Sequence, residues 1–475
     1  MTDKVVVVGD VILDKIVLCE ATRVSSEAPV LVARETGGMF YALGGAANVA
    51  KNVLALGGSP QLVGTVGADE GGQQLSLLCR TDVGQEYEPI LRTIANYRTT
   101  TKTRFIADSQ LMFRFDTDGS VGSNPLQVDR SILDGCSVLI LSDYDKGMFW
   151  DEVSTQYLIK DAKDRGILVI ADVRPQNVRA LRGVNWIVPN ESELRAIRVI
   201  GCERPSDRNP ASDAARDLSL VCRNVVEAYG FDRIICTRGA LGIADYHRGA
   251  DTLVEYPTNA RSVADVTGAG DTVVASMAID DDVQRANVAA GIVVGKLGTV
   301  AVTRDEVTAA LTADKILSKF VDDSRLRTHV VTEQADGRTI VFTNGCFDML
   351  HPGHSHLLMQ ACKQGDVLVV AVNADDSVEV CKGKDRPVLP LDVRMRALAS
   401  LDVVDYVVAF SEATPERLIR FIKPDVLVKG RDPSNPGIPG ADFVARSGGR
   451  IHIVDTIPGF STTNTLRTAT FSSTE

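Results

Sequence analysis

Residues 265–279 read DVTGAGDTVVASMAI, and this stretch decides how the first two thirds of the chain fold and what they could bind. Gly268 and Gly270 beside the small Ala269 leave backbone N–H groups unobstructed. The apolar run that follows reads as a helix, whose start adds a positive dipole end. Together they make an anion hole suited to a phosphoryl group. Asp271 stands at its mouth, where a carboxylate can accept a hydroxyl proton. From the tetrad alone, a glycine-rich turn capped by Asp271 is an equally good reading.

Working outward, short β-branched runs recur, each closed by a polar residue or glycine. They are VVVVGD (5–10), VLILSD (138–143), ILVIAD (167–172), WIVPN (186–190) and RIICTRG (233–239) before the stretch or within its half. After it come TIVFTNG (339–345), VLVVAVN (367–373), YVVAF (406–410), VLVKG (426–430) and RIHIVD (450–455). Unbroken apolar runs of this kind predict parallel strands buried on both faces. Helical stretches such as 150–165 and 391–401 alternate with them. The expected class is α/β with open sheets, and ligands gather beyond the carboxyl ends of such strands. Residues 14–43 and 97–117 instead alternate polar and apolar, which predicts antiparallel strands forming a small β-lid. The polar stretch 316–337 is the expected linker between a domain at 1–315 and one at 338–475.

Composition narrows the function classes. The chain has 475 residues, 44% of them hydrophobic and 24% charged, which is ordinary for a globular protein. No apolar run approaches the ~20 residues that span a bilayer, and the N-terminal VVVV reads as a buried strand rather than a signal peptide. The nine cysteines are scattered, with no CxxC pair, as expected of reduced thiols in a cytoplasm. A net charge of −11 gives no sign of a nucleic-acid partner, and none of a membrane.

A second constellation opens the last third: Phe342-Thr343-Asn344-Gly345-Cys346-Phe347-Asp348, then His351 and His354. A strand ends, a glycine loop follows, and a helix starts near His354. Imidazoles at a helix entrance can donate to phosphate oxygens and stabilise a leaving pyrophosphate. Three of the six histidines lie within 351–356. A zinc site from His351, His354 and His356 is the alternative, but the spacing is not that of a zincin helix. Gly291-Ile-Val-Val-Gly295-Lys296-Leu297 is one residue short of a Walker A and has Leu where Ser or Thr must stand. It reads as a small-residue helix.

The GAGD stretch is similar to the signature of the ribokinase-like (PfkB) carbohydrate kinases, and other elements follow in that family's order. Asp10 and Asp14 match its sugar-holding carboxylates, and Gly44-Gly45-Ala-Ala-Asn48 its GG-x-x-N element. Asn190 and Glu193 match the N-x-x-E pair associated with Mg²⁺ and phosphate. Thr237 and Gly239 match the nucleotide-side loop. The resemblance implies a doubly wound sheet, with Asp271 as base and the amides of 268–270 as anion hole. The NGCFDMLHPGH stretch resembles the H-x-G-H nucleotidyltransferases of the cytidylyltransferase-like superfamily, which implies a Rossmann-like domain. Lys382 and Lys384 fit that superfamily's basic loop. Arg394 and Lys429 follow, and Ser461-Thr462-Thr463 matches its S-T-T element.

With both heads in this order, and with LSDYDKG (141–147) also present, nearly the whole chain resembles the bifunctional heptose 7-phosphate kinase / heptose 1-phosphate adenylyltransferase family. That implies Mg·ATP-dependent phosphorylation of a heptose 7-phosphate at O1, then adenylyl transfer from ATP to the 1-phosphate, giving ADP-heptose. It also suggests a homodimer through the lid. A different sugar phosphate, or CTP in the second head, remains the alternative. Three stretches depart from that family. Asp145 stands where it usually has Ala. Asp172-Val-Arg174-Pro175 replaces DPK, and Arg174 can still meet a phosphate. Lys429-Gly-Arg431-Asp432-Pro433 replaces KGGDY.

Overall fold

The computed structural model describes residues 4–84, 86, 88–107, 110–119, 128–201, 217–260, 262–296, 298–431, 437–455 and 457. The chain divides into two compact units, Met1–Ala310 and Leu311–Glu475.

The first unit is built on a nine-stranded sheet. Its order from one edge is Thr252–Tyr256, Ile243–His247, Arg233–Thr237, Trp186–Ile187, Leu168–Asp172, Cys136–Ser142, Lys4–Gly9, Ser59–Gly67, Ile90–Ile94. Every pair is parallel except the two made by Ile243–His247. Val5 to Val8 have no exposed surface, because helices cover both faces of this sheet, and that is why the run carries no polar alternation. Aspartates start several of the helices. Asp151 takes the amides of Val153 and Ser154 ahead of Glu152–Asp164, and Asp217 does the same ahead of Leu218–Tyr229.

Strand order reverses at Lys4–Gly9: the next strand lies on one side of it and Cys136–Ser142 on the other. The crevice beyond the carboxyl ends of those two strands is where open α/β sheets bind ligands. Asp10 and the loop from Asp143 to Met148 stand there. Above it lies a separate four-stranded lid, ordered Leu31–Gly45, Val11–Val24, Thr101–Ala107, Gln110–Thr117. The lid is mixed rather than wholly antiparallel, because its two central strands, Val11–Val24 and Thr101–Ala107, pair in parallel.

The second unit holds a five-stranded, all-parallel sheet ordered Tyr406–Phe410, Val367–Asn373, Ile340–Gly345, Val426–Gly430, Arg450–Val454. Its switch point is the carboxyl end of the central strand Ile340–Gly345. The stretch 316–337, expected to be a linker, belongs to this unit and is mostly helical. Helices Arg304–Ser318 and Asp323–Ala335 occupy it. Val321, Leu326 and Val330 enter the apolar core against Ile340 and Phe342. Phe320 bridges to Val407 beside the sheet. The helix Asp323–Ala335 is polar almost all round: Leu326 and Val330 are buried, while Val331 is exposed. No described helix is long and apolar enough to cross a membrane.

Candidate active sites

In the first unit the helix Ala269–Ile279 begins at Gly268, which adopts φ 81°. A side chain there would be strained, and its Cβ would also lie 2.9 Å from Nδ2 of Asn48. The open turn therefore lets Asn48, buried on the helix Ala46–Ala55, reach Asp271 and donate to Oδ2 at 2.6 Å. The Tyr144 hydroxyl donates to the other carboxylate oxygen. Burial pushes the Asp271 carboxyl up to about 6, while both donors pull it down. The Ala269 amide reaches the Val266 carbonyl at 3.4 Å; first-turn amides have no acceptors within the helix itself, which suits the start of this helix to an anion.

Gly45 adopts φ 57°, and a Cβ there would meet the Asp10 carbonyl at 2.3 Å. A Cβ on its neighbour Gly44 would lie 2.6 Å from the Asp14 carboxylate. Asp14 is buried on the lid strand and pairs with Arg104. Asp10 does not present a free carboxylate. Its Oδ2 accepts the amides of Tyr144 and Lys146 at 2.9 and 3.0 Å, and its Oδ1 that of Met148 at 3.2 Å. It shapes the loop that delivers Tyr144 to Asp271.

Arg174 follows the strand Leu168–Asp172. Its amide donates to Asp143, its guanidinium pairs with Glu193, and it lies 5.1 Å from the centre of the Tyr144 ring. Asn190 and Glu193 form a reciprocal capping box: Oδ1 of Asn190 accepts the Glu193 amide at 2.9 Å, and Oε2 of Glu193 accepts the Asn190 amide at 2.8 Å. Asn190 also bridges to Thr237, and Gly239, at φ 56°, opens the turn after that strand. The pair thus ties the Arg174 side of the crevice to the Thr237–Gly239 side. Gly291 lies in the helix Val283–Val293, where a Cβ would touch the backbone at 259–260; the expected helix does not reach Gly295, which falls in the turn after it, and Lys296 pairs with Glu306.

In the second unit His351 caps the helix Pro352–Cys362, and the His351 and His354 rings stack with centroids 3.8 Å apart. Nδ1 of His354 donates to the Met349 carbonyl at 3.1 Å. In the neutral ring this leaves Nε2 as a bare lone pair. Burial pushes the His354 imidazole down to about 4, helped by His351 and Lys382. Nδ1 of His351 is buried without a partner. Phe347 takes φ 45° and sets its ring 5.1 Å from that of His354, and a side chain at Gly345 would crowd it.

Around this pair the expected nucleotide residues divide into two groups. Lys382 and Lys384 are exposed, and the charge of Lys382 reaches both imidazoles. Lys429 donates to the carbonyl and Oδ1 of Asn344 at 3.0 and 2.7 Å, and burial pushes its ammonium down to about 8. Thr343 is buried with its hydroxyl unpaired, and Phe342 is packed in the core. Asp348 and Arg394, by contrast, are spent on the framework. Asp348 accepts the amides of Val388 and Leu389 and pairs with Arg386. The Arg394 guanidinium, fully buried, bonds the carbonyls of Leu389 and Cys346 and the Asp375 carboxylate. Ser461, Thr462 and Thr463 lie outside the described residues, as do Asp432 and Pro433. Among the described residues no group of three His, Cys, Asp or Glu side chains is placed to hold a metal ion.

Two comparisons of sequence bear on this geometry. The family of pfkB carbohydrate kinases matches residues 2–306, and the cytidylyltransferase-like family matches residues 342–475. The bifunctional protein HldE of Halorhodospira halophila is 41% identical over 98% of this chain and 96% of its own length. The chain belongs to the HldE family.

A second HldE protein, from Pseudomonas fluorescens, is 40% identical over 97% of this chain and 95% of its own. Like its HldE relatives the chain is bifunctional, a carbohydrate kinase followed by a nucleotidyltransferase. Among solved structures, phosphofructokinase-2 from Escherichia coli, determined with potassium, superposes with a TM-score of 0.50 at 17% identity. It covers 65% of this chain and 97% of that one, and shares the fold of the first unit.

Reading the sequence missed Tyr144, although LSDYDKG was in view. A tyrosine two residues past a strand end carries no periodic signal. The usable clue was its place beside the switch point of the sheet. Asp143 was missed for the same reason: it is buried, accepts the amides of Asp145 and Arg174 and the side chain of Asn177, and burial pushes it up to about 7.

Proposed function

We propose that the first unit phosphorylates D-glycero-β-D-manno-heptose 7-phosphate at O1 with ATP. The second unit then transfers AMP from ATP to D-glycero-β-D-manno-heptose 1-phosphate, giving ADP-heptose and pyrophosphate. The carrying observation is the near full-length relation to HldE proteins, joined to a buried carboxylate at a helix start in the first unit.

In the kinase step Asp271 takes the O1 proton. Its pKa of about 6 leaves it ionised at neutral pH yet basic enough to share that proton. Asn48 and Tyr144 aim the carboxylate, and the amides of 268–270 receive the transferring phosphoryl. Asp14 and Arg104 on the lid close over the sugar and keep water out. Mg²⁺ arriving with ATP neutralises charge on the phosphates. Glu193 fits a contact to it through water, since both its oxygens are engaged, by Arg174 and by the Asn190 amide. Thr237 and Gly239 lie on the nucleotide side.

In the second unit the sugar phosphate attacks the α-phosphorus in line, and no side-chain nucleophile is needed. His351 and His354 hold the triphosphate at the helix entrance, with Lys382, Lys384 and Lys429 adding positive charge. Asp348 and Arg394 hold the loops in place.

The chain works as a homodimer in the cytoplasm. Register puts Phe113, Phe105, Val17 and Met39 on one face of the lid. Phe113 stacks on Phe105 at 4.4 Å yet stays 51% exposed, and Phe115 two residues on is 60% exposed. An apolar outer face of this size fits a second copy of the lid. The described cysteines are unpaired, in keeping with a reducing compartment.

Asp271→Asn and His354→Ala, each assayed for both reactions, test the division of labour. The expected result is loss of the kinase alone in the first and of adenylyl transfer alone in the second. Loss of both reactions in either variant would contradict it.

A further inference from the structure

The inner face of the lid carries a cation that the chemistry above leaves unused. Lys102 and Arg104 alternate on the strand Thr101–Ala107 and share the face that carries Asp14. Register places Lys102 between Asp14 on one neighbouring strand and Asp116 on the other. Neither takes it as a partner: Asp14 pairs with Arg104, and Asp116 with Arg114 at 2.8 Å. Among the described residues Lys102 has no carboxylate within ion-pair distance. Its ammonium lies 5.3 Å from the centre of the Tyr144 ring instead.

Arg174 approaches that same ring at 5.1 Å. One cation from the lid and one from the body therefore flank the tyrosine whose hydroxyl touches Asp271. An aromatic face returns only a small part of the hydration that a buried cation loses. Burial disfavours the charged form of Lys102 and lowers its pKa. An anionic group arriving with the substrate would restore what that burial removes. A sugar lying along Tyr144 would set its acceptor hydroxyl at Asp271 and its far end at the two cations.

We infer that Lys102, with Arg174, holds the phosphate the sugar already carries, and that this subsite selects a phosphorylated sugar over a free one. The inference rests on reading the first unit as a sugar-phosphate kinase. The phosphate is bound and not transferred, and Lys102 keeps its proton.

The test compares kcat/KM for heptose 7-phosphate with that for the same heptose lacking phosphate. Wild type, Lys102→Gln and Lys102→Arg are measured with Mg·ATP. The ratio of the two constants cancels the amount of active enzyme, so partial misfolding does not confuse it. Lys102→Gln should lower the ratio about 10- to 100-fold, the loss expected for one charge-assisted contact, and Lys102→Arg should recover most of it. An unchanged ratio overturns the inference even if both constants fall together, as they would if Lys102 served the transferred phosphoryl or merely shaped the lid. A wild-type enzyme with no preference for the phosphorylated sugar contradicts the substrate reading itself, before any variant is made.

Discussion

Asn48 and Asp271 stand 223 residues apart in sequence, yet the amide of one donates to the carboxylate of the other at 2.6 Å. With Tyr144 on the second oxygen, the base is held at both ends. Both donors favour the ionised form, so removing either raises the Asp271 pKa above its value of about 6. A raised pKa means the base is protonated, and idle, at higher pH. Tyr144→Phe should therefore move the acid limb of the kinase pH profile upward by about half to one unit, with the larger rate loss at pH 6 than at pH 8. An acid limb left in place would show that Tyr144 serves only packing.

Asp348 in the second unit is fully buried, accepts two amides and pairs with Arg386. Asp348→Ala strands a buried guanidinium and two N–H groups. The expected cost is about 3–5 kcal/mol in the unfolding of the second unit, read by denaturant titration of the full chain. Adenylyl transfer should fall with it while the kinase persists.

His354 offers a proton-linked test. Its Nδ1–H is committed to Met349 and burial keeps the ring neutral, with a pKa of about 4. To donate from Nε2 to a phosphate oxygen it must first gain a proton, which the charge of the triphosphate favours. ATP binding to the second unit should take up protons near pH 7. Calorimetry in buffers of different ionisation enthalpy would read this, using Asp271→Asn chains with and without His354→Ala. Uptake should shrink in the histidine variant.

The outer face of the lid gives a prediction about assembly. Phe113→Glu places a charge on the exposed apolar face, at the lid's edge strand Gln110–Thr117. It should convert a dimer to a monomer in sedimentation equilibrium and leave adenylyl transfer intact. A wild-type chain already monomeric at micromolar concentration would rule the lid dimer out.

How much of this was legible in the sequence depended on what the signal required. Most of the ten apolar runs could be read because a parallel strand buried on both faces announces itself in composition alone; Arg450–Val454 is an edge strand and partly exposed. The strands Ser59–Gly67 and Ile243–His247 were not anticipated: one mixes glycine and polar residues, and the other is interrupted by Asp245, whose charge is met by Arg233. Asp271, His351 and His354 could be located because glycine and imidazole are rare in fixed spacing. Their partners could not. Asp10 looks like a sugar ligand in sequence, and only the fold shows its oxygens taken by amides from 144–148. Arg394 looks like a phosphate ligand until its three acceptors are seen around it. The 316–337 stretch looks like a linker because its polar majority hides the spacing of Leu326 and Val330.

The most direct test of the central claim follows the sugar itself. The purified chain is incubated with Mg·ATP and D-glycero-β-D-manno-heptose 7-phosphate, and the product is read by mass and phosphorus NMR. The account predicts a second phosphate, coupled to the anomeric proton, that is absent with Asp271→Asn. No reaction with this sugar, together with turnover of a different sugar phosphate, would contradict the heptose assignment and point to Asp145 and Arg174 as the residues that changed it.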